Sequence, residues 1–381
     1  MMLFEPITVG KMQVKNRIAS TPLVTRLASE DGFVTDDLIE RYARLARGGI
    51  GWIITEAIVI QNNKSVSNVR ATRDEMVPGL RRWVEAVHQA GENVKIGVQI
   101  THFLKVARSG WRQKIEDLTK EDIRRIVEDH RTGALRIRDA GFDSIEWDAE
   151  SHMTLSEFLS RKNKRRDEYG GNLDNRMRLP LEIYHITRDL LGKDFTLGIR
   201  LNGDDLVVGG NTLLHSTAIA RKMAEVGIDY ISVSCGGQYE DAPPPEPGWP
   251  VDGYGGYSGL RCWPRAWMPD GANVYLAEGI RDSLRAAGHT IPVITAGKIP
   301  TPAFAESILQ KGKADIIGMA RSLLTDPDWP KKAKEGRVKE IVRCTYCDHC
   351  SELDHKFKTV VCIRWPEGVI QAPEPFMLKR Q

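Results

Sequence analysis

The fold is decided by residues 94–148, where "VKIGVQI" (94–100) and "DSIEWD" (143–148) flank the amphipathic run "EDIRRIVEDHRTGALRIRDAG" (121–141). The outer runs are short, apolar and rich in β-branched residues, as strands are, whereas the long run carries its apolar residues at helical spacing. The alternation repeats along the chain. Further strand candidates are "NRIASTPL" (16–23), "IGWIITEA" (50–57), "FTLGIRL" (195–201), "YISVSC" (230–235), "IPVITAG" (291–297) and "ADIIGMA" (314–320). Helical patterns lie between them, among them "DDLIERYARLARG" (36–48) and "TPAFAESILQKG" (301–312). Strands apolar on both faces and separated by helices imply a parallel sheet, because the crossovers must cover it. Eight such units predict an α/β protein of the (β/α)8 type, a TIM barrel over residues 1–338, followed by a short C-terminal cysteine-rich extension over 339–381. No GxGxxG follows the first strand, which argues against a dinucleotide-binding Rossmann domain.

The 381 residues suffice for a core that needs no staples, and 41% hydrophobic with 28% charged residues is ordinary for a soluble protein. A net charge of +3, spread along the chain, supports neither a nucleic-acid nor a membrane-surface partner. The basic run "RKNKRR" (161–166) reads as a solvated loop, with anion binding as the alternative. No apolar run reaches the length of a membrane span, and "MMLFEPITVG" has no basic region followed by an apolar one. With unpaired-looking cysteines, the expected compartment is a reducing cytoplasm.

Barrel chemistry sits at the C-terminal ends of the strands. There the sequence places Thr25 and Arg26, Glu56, Gln99 with His102, Asp148 with Ser151 and His152, Arg200, "AGK" (296–298) and "GMAR" (318–321). The glycine-containing turns at Ala296–Lys298 and Gly318–Arg321 follow the last two strands, where barrels commonly hold a phosphate on backbone N–H groups. Plain packing is the competing explanation for those glycines.

At these residues the chain resembles the old yellow enzyme family of FMN-dependent oxidoreductases, over nearly its whole length. "LFEPITVGKMQVKNRI" is similar to the family's opening hairpin and first strand, "NKRRDEYGGNLDNRMR" (163–178) to its most specific signature, and "ADIIGMARSLLTDPDWPKKAKEG" (314–336) to its closing segment. The resemblance implies that Gln99 bonds the pyrimidine edge of FMN and that Arg200 faces N1 and O2, where a reduced flavin gains negative charge. An ion pair across the barrel mouth is the other reading of Arg200. Gly297, Lys298, Ala320 and Arg321 would hold the phosphate, with Ala296 and Gly318 in the same turns. Pro22, Leu23 and Ala57 would line the flavin, and Val24 stands where some relatives carry a tethering cysteine, so FMN is expected without a covalent link. His102 matches a family histidine near flavin and substrate, or is structural.

Two departures bear on the reaction. In "EWDAESHMTLSEFL" (146–159), Asp148 and Ser151 occupy the family's oxygen-binding positions and Met153 replaces its proton-donating tyrosine. A carboxylate at 148 would oppose a forming enolate, but would tolerate a cation or act as a general base; His152 could carry a proton instead. The loop after His102 is also shorter than in the family, which opens the pocket.

Near the C-terminus, "RCTYCDHCSELDHKFKTVVC" (343–362) spaces Cys344, Cys347 and Cys350 as C-x2-C-x2-C, with Cys362 eleven residues on. Three thiols crowded into one loop and a fourth nearby suit a [4Fe–4S] cluster. His349 and His355 keep structural zinc as an alternative, and disulfides are not expected in a cytoplasmic enzyme. Cys235 reads as strand core. A branch of the resembled family carries such a cluster after the barrel, including dienoyl-CoA and enoate reductases and amine dehydrogenases; the cysteine spacing does not choose among them. That branch commonly continues into a dinucleotide-binding half. Here the expected electron partner is a separate protein, such as a ferredoxin, an electron-transferring flavoprotein or a companion subunit, and a homo-oligomer is compatible with the sequence.

Three functions follow. The first is reduction of an activated C=C bond, with electrons entering through the cluster. The second is oxidation of a C–N bond by an amine dehydrogenase or demethylase, favoured by Asp148 and by Tyr254, Tyr257, Trp263 and Trp267, whose faces could cage a cation. The third is a catalytically silent electron carrier or scaffold. Reduction ranks first by a thin margin.

Overall fold

The computed structural model describes residues 1–61, 67–105, 113–151, 153–237 and 256–374, excluding the side chains of 256 and 257. A hairpin of β1 (Ile7–Val9) and β2 (Met12–Val14) precedes eight strands. These are β3 (Ile18–Ser20), β4 (Trp52–Val59), β5 (Lys95–Thr101), β6 (Ser144–Ala149), β7 (Thr196–Asn202), β8 (Tyr230–Ser234), β9 (Val293–Thr295) and β10 (Ile316–Met319). They close in sequence order, β10 pairing with β3, and every barrel pairing is parallel. The fold is the (β/α)8 barrel expected from the alternating runs.

The principal outer helices are α1 (Asp36–Arg47), α2 (Val77–Ala90), α3 (Lys120–Ala140), α4 (Thr154–Leu159), α5 (Leu173–Leu191) and α6 (Leu213–Glu225). They continue with α7 (Gly256–Cys262), α8 (Val274–Ala286), α9 (Pro302–Gln310), α10 (Arg321–Thr325) and α11 (Trp329–Lys334), and α12 (His349–His355) lies in the extension. Thr119 and Asp122 form a capping box at the start of α3, and Gly141 ends that helix in the left-handed region at φ 93°. No described helix is long and apolar enough to cross a membrane.

The barrel interior is divided by polarity. At the N-terminal end, Val9, Met12 and Val14 of the hairpin pack with Ala19, Trp52, Ile54, Tyr230, Ile294 and Ile316 and plug the bottom. Gly198 makes room for this plug, since a Cβ there would lie 2.1 Å from the Tyr230 ring. The upper interior is lined instead by Gln99, Glu146, Asp148, Arg200, Ser232 and Ser234, all buried. On β6 and β8, which carry two each, these residues lie two apart and so share one face of the pleat.

A bulge in β4 between Ile54 and Ala57 breaks that alternation. Glu56 thereby turns toward α1, where it is fully buried and accepts hydrogen bonds from the Thr25 backbone N–H (3.0 Å) and hydroxyl (2.7 Å). This fixes the loop after β3. The extension packs on the same loop: the Val360 N–H donates to the Thr25 carbonyl (2.9 Å), Arg26 pairs with Asp354 (2.7 Å), and Arg41 donates to the Val360 carbonyl (3.1 Å). Its apolar seam joins Leu324, Val342, Cys350, Val360, Trp365 and Ala372, with Leu23 against it.

The "NKRRDEYGGNLDNRMR" segment is a staple, and Arg165 is not a solvated loop residue. Its buried guanidinium pairs with Asp167 (2.5 Å) and donates to the Leu118 (2.8 Å) and Ile115 carbonyls. Arg176 reaches the Leu159 (3.1 Å) and Gly171 (2.6 Å) carbonyls, and Asn163 those of Phe158 (2.9 Å) and Tyr169 (2.8 Å). The reason is local: a loop that turns inward leaves carbonyls without partners, and these side chains supply them.

Candidate active site

The C-terminal mouth is built from β5 to β8. Arg200 on β7 is buried, and its Nε donates to Glu150 Oε1 at 2.7 Å, while its other nitrogens reach the hydroxyls of Ser232 (2.8 Å) and Ser234 (3.4 Å). The ion pair across the mouth is thus present, with Glu150 as the partner that the sequence reading missed. Period-two alternation through 146 and 148, carried one step past the end of β6 to 150, was the available signal. Gln99 Nε2 donates to Glu146 Oε1 at 3.1 Å, beside the register pairs Gln99–Glu146 and Asp148–Arg200.

Three carboxyl groups therefore surround one guanidinium. Burial pushes the Glu146 carboxyl up to about 7, with Arg200 opposing and Glu150 adding to the rise. Burial, then the Glu150 charge, raises the Asp148 carboxyl well above the usual range, although Thr101, the Glu150 backbone and Arg200 act against it. Asp148 is therefore held toward its neutral form, which converts a hydrogen-bond acceptor into a donor.

Ser151 sits nearby in the left-handed region (φ 49°), with its Oγ 3.7 Å from Cys262 Sγ. Burial raises the Cys262 thiol to about 12. Met153, at the position of the family's tyrosine, lies with its sulfur 3.1 Å from Thr101 Oγ1. His152 lies outside the described residues. His102 faces the helix layer: its Nδ1 is 2.8 Å from Thr154 Oγ1, its Nε2 is 3.7 Å from Asp129, and its ring stacks on His130 at 5.8 Å. That placement matches the structural reading of His102 and gives the catalytic one no support.

On the other side of the mouth, Pro22, Leu23 and Val24 are half-buried in the loop after β3, and Ala57 pairs in register with Gln99. Ala296, Gly297 and Lys298 follow β9, with Gly297 at φ 112° and Lys298 at φ 57°. The Lys298 ammonium is engaged by the protein's own oxygens. This tight turn sends the side chain back to the Ala266 (2.6 Å) and Met268 carbonyls and to Asp270 (3.5 Å). Gly318 is a packing glycine, since a Cβ would meet Thr21 at 2.6 Å. Ala320 caps α10, and Arg321 begins it, buried beneath Trp263 (5.7 Å) and Tyr346 (5.1 Å).

Two orphaned groups show that the mouth suits a polar, anionic cofactor. Arg321 Nη1 and Thr295 Oγ1 are buried without a hydrogen-bond partner among the described residues. A phosphate at the turn after β10 would satisfy the first. Trp263 already stacks on Arg321, so this aromatic face is used internally, whereas Trp267 is half exposed. Tyr254 and the Tyr257 side chain lie outside the described residues.

Cys344, Cys347, Cys350 and Cys362 are free thiols, as is the fully buried Cys235. Cys350 lies within reach of the charges of Cys344 and Cys362, and Cys362 within reach of those of Cys344 and Cys347. Donors point at two of them: the Tyr346 N–H at Cys344 Sγ and the Thr325 hydroxyl at Cys362 Sγ, each at 3.3 Å. Among the described residues no three His, Cys, Asp or Glu side chains gather where one metal ion could sit. Four thiols drawn from residues 344–362, two of them with hydrogen-bonding groups at the sulfur, are a donor set that fits an iron–sulfur cluster.

A closed parallel barrel with a polar C-terminal mouth and a buried guanidinium, Arg321, beside its last turn suits a TIM-barrel enzyme that takes a phosphorylated cofactor. Residues 2–250 and 278–340 match the NADH:flavin oxidoreductase / NADH oxidase family, to which the chain belongs. That family is one of FMN-dependent flavin oxidoreductases. An NADH oxidase of Thermoanaerobacter brockii is 35% identical over 91% of this chain and 52% of the relative. A 2-naphthoyl-CoA reductase structure matches at a TM-score of 0.83 and 26% identity, covering 96% of this chain and 57% of that one. A histamine dehydrogenase from Rhizobium sp. 4-9 matches at 0.79 and 25%, covering 96% and 52%. The chain spans about half the length of the first of these relatives.

Proposed function

We propose that this chain reduces an activated C=C bond, conjugated to a carboxyl or thioester carbonyl, with electrons arriving through a [4Fe–4S] cluster on Cys344, Cys347, Cys350 and Cys362. The carrying observation is Asp148, buried at the mouth with its carboxyl held toward neutrality by burial and Glu150. An ionised carboxylate would repel the negative charge that gathers on the substrate's carbonyl oxygen during hydride addition. A neutral one donates a hydrogen bond to it, and a donor of this kind placed where charge develops contributes strongly to the rate. This answers the objection that position 148 raises at the level of sequence.

FMN, when bound, supplies the hydride. Gln99 and Arg200 would face its polar ring edge, Pro22, Leu23, Val24 and Ala57 its planar surface, and Arg321 with the backbone of Ala296–Lys298, Gly318 and Ala320 its phosphate. Arg200, shared with Glu150, keeps positive charge beside the ring while limiting how much of it is free. The likeness to a protein named 2-naphthoyl-CoA reductase supports a thioester-bearing substrate.

One observation favours a second reading, amine oxidation with electrons leaving through the cluster. Glu146, Asp148 and Glu150 outnumber Arg200, and a cationic amine would draw Asp148 into its ionised form. Anaerobic mixing separates the two. Enoates or enoyl thioesters should reoxidise the reduced protein, with no response to methylated amines. Bleaching of the oxidised protein by an amine would overturn the reductase reading. Iron and acid-labile sulfide assays test the cluster, which fails if zinc is stoichiometric and iron absent.

A further inference from the structure

The loop "CTYCDHC" (344–350) packs against Arg321 and Lys298 as well as carrying three of the cysteines. Tyr346 and Asp348 flank Cys347, and both adopt the left-handed region, at φ 55° and 69°. Non-glycine residues hold such angles only where their surroundings over-determine them. The consequence is a zigzag: Cys347 is exposed, while Tyr346 and Asp348 are driven inward and buried.

What they meet is Arg321, the guanidinium proposed above to hold the FMN phosphate, together with Lys298. The Tyr346 ring lies between two cations, 5.1 Å from the Arg321 guanidinium and 5.4 Å from the Lys298 ammonium. Asp348 pairs with Arg265, and its Oδ1 stands 3.6 Å from Arg321 Nη1. Arg321 Nη1 is the group left without a hydrogen-bond partner among the described residues. The Tyr346 and Trp263 rings both lie against this guanidinium.

We propose that Tyr346 is a positioning residue that couples the two cofactor sites: the cysteine loop, when its cluster is in place, holds Tyr346 against Arg321 and so orients the phosphate-binding guanidinium. The inference rests on the cluster reading above. Cation–π contacts to buried rings order a side chain without competing for the hydrogen bonds it offers a ligand. Coupling of this kind is reciprocal, so FMN also protects the cluster from loss.

The test uses the full chain, purified anaerobically and stripped of flavin, with iron content measured first. FMN is titrated by flavin fluorescence quenching into the cluster-loaded protein, C347S, Y346L, Y346F and Y346L/C347S. Cluster loss in C347S should weaken FMN binding about 5- to 50-fold, within the usual range of coupling between sites. Y346L should weaken it comparably, Y346F should restore wild-type affinity, and the double variant should be no weaker than Y346L alone. In the reverse direction, iron release to a chelator should be faster without FMN, and this difference should vanish in Y346L.

Equal FMN affinity with and without the cluster would overturn the coupling, and so would an undiminished effect of C347S in the Y346L background. A wild-type protein that binds FMN but contains no iron would refute the cluster reading instead. In that case Y346L against Y346F still tests whether the ring orients Arg321, and equal affinities would refute that part.

Discussion

Glu56 gives a prediction whose sign depends on pH. It is fully buried, and burial raises its carboxyl from 4.5 to about 7 despite the two bonds from Thr25 and the charges of Arg41 and Arg26. A group whose folded value is raised contributes stability that is whole below its unfolded value and is lost as pH climbs through the folded one. The window here runs from 4.5 to about 7. At about 1.4 kcal/mol per pH unit, ionising Glu56 in the folded protein costs roughly 3 kcal/mol by the top of that window. Gln at this position removes the cost but supplies one acceptor oxygen in place of two. One of the Thr25 bonds, at 2.7 and 3.0 Å, is then lost, which costs about 1 kcal/mol. Glu56→Gln should therefore destabilise the protein by about 1 kcal/mol near pH 3.5, below the window, and stabilise it by about 2 kcal/mol near pH 8. Urea unfolding of the flavin-loaded chain, followed by tryptophan fluorescence at both pH values, measures the difference. A change of the same sign and size at both would refute the reasoning, because the buried carboxyl would then not titrate in that window.

Three further outcomes follow from the same geometry. Asp148→Asn keeps a hydrogen-bond donor at the mouth and should retain turnover of an enoate within about tenfold, whereas Asp148→Ala should lose roughly 100- to 1,000-fold; equal losses would remove the donor role. Glu150→Ala leaves the Arg200 guanidinium buried without the carboxylate now at 2.7 Å. It should cost about 3–5 kcal/mol in urea unfolding, with Glu150→Gln recovering part of it; an unchanged midpoint would show that Arg200 finds another partner. Arg165→Ala strips Asp167 and the Ile115 and Leu118 carbonyls of their donor. A loss of about 3 kcal/mol or more should appear as a lower melting temperature, while a surface Arg124→Ala control stays within about 0.5 kcal/mol.

The barrel was legible in the sequence because its signal is local. "VKIGVQI" and "FTLGIRL" are apolar on both faces, and a strand of that kind must be covered on both sides whatever its neighbours are. The observed strands Lys95–Thr101 and Thr196–Asn202 fall within one residue of those runs. Gln99, Arg200, Arg321 and the cysteine spacing were found in the same way, each by its place at a strand end or within a short motif.

What the side chains do there was decided by contacts between distant segments. Alternation puts Arg200 inside the barrel, but only the pairing of β7 with β6 brings Glu150, just past the end of β6, to its Nε. The protonation of Asp148 depends on that same assembly, since burial and a nearby charge are properties of the packed mouth rather than of the residue. His102 faces α3 because strand parity turns it outward, and Lys298 turns back because its backbone lies at φ 57°. The contact of Tyr346 with Arg321 joins segments 25 residues apart through two left-handed backbone positions flanking a cysteine. Periodicity follows from the bonding of one strand and survives in the sequence; pairing, burial and charge depend on which surfaces meet, and those are fixed only when the barrel closes.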